Sequence, residues 1–218
     1  MPKRALIDHR PYLLLSLLFG ISYFFVMDGK VGGIFLALWK GAGVAFLAVY
    51  CAQRGRGREG SLIAVVMAVC ALADIILEFS FLIGGLVFAA AHGIAIWLYT
   101  TNPRPRMTAS QIAASMALLL GTPAIAALLT YPMENWYLAA LYALVAGAMA
   151  GAAWKSRFPR YRVGIGAVLF VASDLIIFAR EAGHVSRDLA EWLVWPLYFS
   201  GQFLIATGVI QTIRKGKI

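Results

Sequence analysis

The stretch SLIAVVMAVCALADIILEF, residues 61–79, decides the fold. It is long and apolar enough to cross a bilayer, which takes roughly 20 mostly apolar residues. Yet it carries Asp74 and Glu78. A second run, VGIGAVLFVASDLIIF at 163–178, carries Asp174, and Lys40 and His92 interrupt two more. A carboxylate in hydrocarbon costs several kcal/mol unless paired, protonated or wetted, so such residues face a bundle interior and mark function by default. Five ionisable groups in apolar runs predict a polar cavity in the bundle.

Composition agrees. Hydrophobic residues make up 61% of the 218 and charged residues only 13%, against about 25% charged in soluble domains. The chain reads as an all-α integral membrane protein, one transmembrane domain over 1–218. The basic start MPKRALIDHR precedes an apolar run that ends FFVMDGK without a small-residue cleavage site. It reads as a retained helix and not a signal peptide. Cys51 and Cys70 read as reduced and structural.

Eight helices are expected, at about 11–28, 31–50, 61–79, 81–100, 109–130, 135–154, 163–180 and 189–212. Segments such as CAQRGRGREG, TNPRPRMT, KSRFPRYR and REAGHVSRD connect them, and helices three and four nearly touch at Ser80. With the N-terminus cytoplasmic, the basic residues within 3–10, 54–58, 104–106, 155–162 and 214–217 fall on the cytoplasmic side, leaving Lys30, Arg180 and Arg187 opposite. That asymmetry obeys the positive-inside rule and puts both termini in the cytoplasm. It also accounts for the net charge of +9 without nucleic acid. The expected location is the cytoplasmic membrane of a bacterium. Tyr131, Trp136, Trp192 and Trp195 suit an outer aromatic belt. ALADIIL and VASDLII lie 100 residues apart and form a faint internal repeat.

Asp74 and Glu78 are i and i+4 and share a face. On this segmentation Asp74 and Asp174 lie in the middle-to-outer membrane, Lys40 and His92 near the midplane. Tyr198 and Gln202, again i and i+4, could complete a polar wall. Plainer roles compete: Asp74 paired with Lys40 as a structural ion pair, His92 as a packing histidine, Tyr198 and Gln202 as helix–helix glue. A three-histidine zinc site is excluded, because His9 and His184 fall outside the spans. No G-x-S-x-G supports a serine triad, and Ser173 and Asp174 point apart. No metal or organic cofactor is called for.

Three runs resemble a known family. LADIILEFSFLIGGLVFAAAHGIAIWLY at 72–99 resembles a signature of Gly-Asp, then Glu, then Phe, Gly, Phe and His. GIGAVLFVASDLIIF at 164–178 resembles a second that closes on Phe-x-x-Ser-Asp, and YFSGQFLIATG at 198–208 a Tyr-x-x-x-Gln-x-Leu-Ile ending. Lys40 matches a lysine of the second helix, and Tyr142 to Met149 a tyrosine-to-methionine spacing. Departures are Ala73 before the first aspartate and Ala95 three residues after the histidine. The chain is thus similar to the YhhN-type family of eight-helix proteins, which includes the animal lysoplasmalogenases.

That resemblance implies hydrolysis of the vinyl ether of a lysoplasmalogen to a fatty aldehyde and a glycerophospho-ethanolamine or -choline. It implies Asp74 and Asp174 as the acidic pair, with Lys40, Glu78, His92, Tyr198 and Gln202 around them. The substrate would be a lysophospholipid drawn from the bilayer. The chemistry suits buried carboxylates: one protonated acid and one carboxylate serve an oxocarbenium-like transition state, as in glycosidases. The competing class is a small proton-coupled transporter, since the same residues serve proton relays. Lipid consumption without a gradient would discriminate. A purely structural protein leaves five buried ionisable groups unexplained. Oligomeric state is open.

Overall fold

The computed structural model describes residues 11–27, 29 and 32–216. Among them every regular element is helical, in the order α1 Pro11–Val26, α2 Ile34–Arg54, α3 Gly57–Leu77, α4 Phe81–Thr100, α5 Ala109–Thr130, α6 Trp136–Lys155, α7 Ile165–Glu181 and α8 Arg187–Lys215. With α7 counted together with the π-helical turn before it, as Arg160–Glu181, seven are long and apolar enough to cross a membrane, and α1, at 16 residues, is apolar but short of that length. The chain is an integral multi-pass membrane protein. Lys3, Arg4, His9, Arg10, Lys30 and Lys217 lie outside the described residues.

By packing, the chain divides into two compact units, one reaching Ala91 and taking in the residues from Ile213 onward, the other His92–Thr212. In the first, α1 packs on α2 and α2 on α3. The α2–α3 connection is shorter than the polar run CAQRGRGREG implies. Gln53 and Arg54 continue α2, Glu59 and Gly60 already belong to α3, and only Gly55 and Arg56 lie between. Polar side chains are tolerated on helix turns that project past the hydrocarbon. Gly55 lies so close to Gly60 that a Cβ there would come within 2.7 Å of the Gly60 backbone. The Ser80 hairpin is as tight as the sequence implies. The Phe79 and Ser80 amides donate to the Ile76 carbonyl, and Gly84 allows α4 to lie against Leu77, where a Cβ would be 2.8 Å from its Cα.

In the second unit α5, α6 and α7 pack together. Small residues make that closeness possible, since lipid supplies no hydrophobic drive between helices. A Cβ on Gly147 would lie 2.5 Å from the Leu118 carbonyl, and Ser115 Oγ donates to the Gly151 carbonyl at 3.1 Å. Between α7 and α8 the backbones meet at Gly166 and Gly201. A Cβ on either would fall within 2.7 Å of the other's carbonyl oxygen.

The α4–α5 and α6–α7 loops are stitched together by an isolated antiparallel bridge, Pro103 with Ser156. Arg104 N donates to the Lys155 carbonyl and Arg157 N to the Asn102 carbonyl. The Arg104 guanidinium caps the Ser156 and Phe158 carbonyls at 3.0 and 2.9 Å. Burial, then the like charge of Arg160, lowers the Arg104 pKa from its ordinary value, though a guanidinium stays charged. The stitch puts Arg104, Arg106, Lys155, Arg157, Arg160 and Arg162 at one end of this unit. Arg180 and Arg187 flank the α7–α8 turn at the other end, the separation the charge pattern requires.

The sequence places the start of the seventh helix at residue 163, but the helical path begins earlier, in a π-helical turn over Arg160–Gly164. Of the four expected belt aromatics, Tyr131, Trp136 and Trp192 are exposed. Trp195 is 5% exposed, packed on Tyr198 and Phe199 with ring centroids 5.6 and 5.7 Å apart. It is a core residue because it lies three residues before Tyr198, on the same inward face of α8. Cys51 and Cys70 are buried free thiols.

Candidate functional site

In the first unit the polar residues lie toward the α2 start and the α3 end. Asp74 is 1% exposed, on the last turn of α3. Because α3 begins at Gly57, Asp74 stands about 26 Å from that start, against about 20 Å for a helix beginning at 61. Glu78 is the C-cap residue of α3, one turn beyond. Lys40 lies on the second turn of α2, about 9 Å from the start of a helix that begins at Ile34. Lys40 thus lies nearer the start of its helix than a helix running over 31–50 would put it. Lys40 Nζ donates to Glu78 Oε1 at 2.5 Å. Lys40 therefore serves Glu78, a pairing that the sequence alone does not single out. Gly41, beside Lys40, brings α2 against Ala71 and Ile75 of α3, close enough that a Cβ would be 3.0 Å from the Ala71 carbonyl.

In the second unit Asp174 and His92 are joined through a third residue. Tyr142 Oη donates to Asp174 Oδ2 at 3.0 Å, and His92 Nε2 lies 3.4 Å from the same hydroxyl. Three helices supply them: α4 gives His92, α6 Tyr142 and α7 Asp174. His92 is buried, and Phe170 meets its ring edge-on at 4.7 Å. Tyr142 is likewise edge-on to Phe178 at 5.9 Å. Phe178, Ala126 and Ala143 form a small buried cluster against which Tyr142 and Leu175 pack. Aromatic walls of this kind fix ring orientation through their quadrupoles, so the Tyr142 hydroxyl is aimed by packing.

Phe170 also links this chain to α8. Its ring centroid is 5.3 Å from that of Tyr198, whose hydroxyl accepts from Gln202 Nε2 at 3.4 Å. Tyr198 and Gln202 are both buried. Helical spacing places them one turn apart, as the i and i+4 reading implies, with Gly201 between them permitting the α7 contact.

Sequence reasoning alone does not pick out Tyr142 and Phe170 as site residues. Tyr142 enters it only as one end of a tyrosine-to-methionine spacing, and Phe170 as part of an apolar run. Neither carries a charge, so intramembrane cost gives no signal for them. A tyrosine inside an apolar helix is the cue that points to it, because a buried hydroxyl needs a partner. Among the described residues no three His, Cys, Asp or Glu side chains gather as metal ligands.

Residues 35–209 match the family model described as the YhhN family. That span covers most of the chain and includes every candidate residue named above. No curated protein and no solved structure matches the chain.

Proposed function

From the YhhN family, to which the chain belongs, we propose a lysoplasmalogenase-like hydrolase that cleaves the vinyl ether of lysoplasmalogens. The observation that carries this reading is the Asp174–Tyr142–His92 chain. It is a connected set of proton-carrying groups held among aromatic rings within membrane-spanning helices. Such groups are costly in hydrocarbon and are kept where they act.

The reaction divides into two proton transfers. An acid protonates the alkenyl carbon, the π pair becomes the new C–H bond, and an oxocarbenium ion is left at the ether carbon. Water adds to that carbon and gives its proton to a carboxylate. The hemiacetal then collapses, breaking the bond to the glycerol oxygen and releasing a fatty aldehyde and a glycerophospho-alcohol. Asp74 and Asp174 supply the acid and base roles. Carboxyl groups in unequal surroundings divide such roles readily. Tyr142 and His92 orient Asp174 and the water, while Tyr198 and Gln202 extend the polar surface. The lysolipid enters laterally from the bilayer, in a bacterial cytoplasmic membrane.

The test is fatty-aldehyde release from lysoplasmenylethanolamine by purified protein in detergent. Asp74→Asn and Asp174→Asn should each lower turnover by about 10³-fold, within the range for removal of a general acid or base, while leaving a folded protein. Full activity in either variant sinks the assignment.

A further inference from the structure

The Lys40–Glu78 pair differs in kind from the groups assigned to proton transfer: it is an ion pair. Its side chains are 14% and 28% exposed, so the pair is reachable. Glu78 ends α3, and Lys40 is two turns from the start of α2. Exposed apolar side chains flank both residues: Ile34, Phe35 and Leu38 on one helix, Phe79, Phe81 and Leu82 around the other. Lipid-facing residues beside a helix end mark the boundary where hydrocarbon gives way to headgroups.

A fixed cation and a fixed anion side by side at that boundary complement a zwitterion. Opening the pair exchanges one internal ion pair for two charge-assisted hydrogen bonds to a ligand. Glu78 is four residues, about 6 Å along the axis, from Asp74, a distance comparable to the length of a glycerol unit. A headgroup held at Lys40 and Glu78 therefore leaves the first glycerol carbon within reach of Asp74.

We infer that Lys40 and Glu78 form a headgroup subsite that selects phosphoethanolamine over phosphocholine. This rests on the ether-lipid reading for its substrate class. Lys40 Nζ donates to the phosphate. Glu78 accepts N–H hydrogen bonds from the primary ammonium. A trimethylammonium group has no N–H to give, and its recognition depends instead on aromatic faces.

Binding tests this without turnover. The probes are a saturated alkyl-ether lysophosphoethanolamine and its lysophosphocholine counterpart, neither of which has a vinyl ether to cleave. Affinities come from ligand-induced thermal shifts of the purified full chain. Wild type should bind the ethanolamine form at least about tenfold more tightly. Glu78→Gln should bring the two near parity, and Lys40→Met should weaken both alike. The double variant Lys40→Met, Glu78→Gln leaves neither charge unpaired; it should keep the ligand-free Tm within a few degrees, yet bind both probes weakly and without preference. Equal affinities in wild type, or a preference that survives Glu78→Gln or the double variant, overturns the subsite. Aldehyde release is read separately. A selective but inactive protein would overturn the proposed reaction and keep the subsite, and an active protein without selectivity would do the reverse.

Discussion

Tyr142 holds the polar chain of the second unit together, since Asp174 and His92 both meet its hydroxyl. Removing that oxygen in Tyr142→Phe leaves the ring packed on Phe178. The expected result is a fall in kcat of about 10- to 100-fold with KM changed less than about threefold, the signature of a group acting mainly in the transition state. A purely structural role would instead lower Tm and leave kcat per folded molecule intact. Charge made Asp74, Asp174, Lys40, Glu78 and His92 legible, because each is expensive in an apolar run. The partner of each was not legible. Lys40 reaches Glu78 across the α2–α3 contact that Gly41 makes close, and hydropathy says nothing of which side chains on two packed helices meet.

Helix contacts are decided by where a Cβ has room. Gly201 has none, since its Cβ would lie 2.6 Å from the Gly166 carbonyl, whereas Gly121 has nothing within 4 Å. Gly201→Ala should therefore destabilise by about 1–3 kcal/mol through forced separation of α7 and α8. Gly121→Ala should be neutral or stabilising by up to about 1 kcal/mol through helix propensity. Thermal unfolding in detergent reads both. A drop for Gly121→Ala as large as that for Gly201→Ala would contradict the packing. The glycines were visible in the sequence, but which of them abut backbone was not, because contact depends on the facing helix. Element ends were hardest to read where polar residues extend a helix, as at Gln53–Arg54 and Glu59–Gly60, or where a π-helical turn precedes it, as at Arg160–Gly164.

For the whole molecule, charge placement and apolar length made the helical membrane architecture readable, with α1 the exception at 16 residues. The stitched loops around Pro103 and Ser156 carry the sidedness argument within the second unit. With single cysteines in a background lacking Cys51 and Cys70, Arg157→Cys and Arg187→Cys should label from opposite sides of a sealed membrane with an impermeant maleimide. Arg157→Cys should react only after lysis of intact cells. Labelling of both from the same side would overturn the topology. The division of the chain into two units, by contrast, leaves no mark in composition or in loop length, since α4 crosses it at Ala91 and His92 without a break.

The most direct measurement is the mass of the fatty aldehyde formed from lysoplasmenylethanolamine by the purified protein in deuterium oxide. Protonation of the alkenyl carbon predicts one deuterium on the carbon next to the aldehyde, with product from wild type and almost none from the Asp74→Asn, Asp174→Asn double variant. Aldehyde without that deuterium, or no aldehyde from folded wild-type protein, would contradict the account.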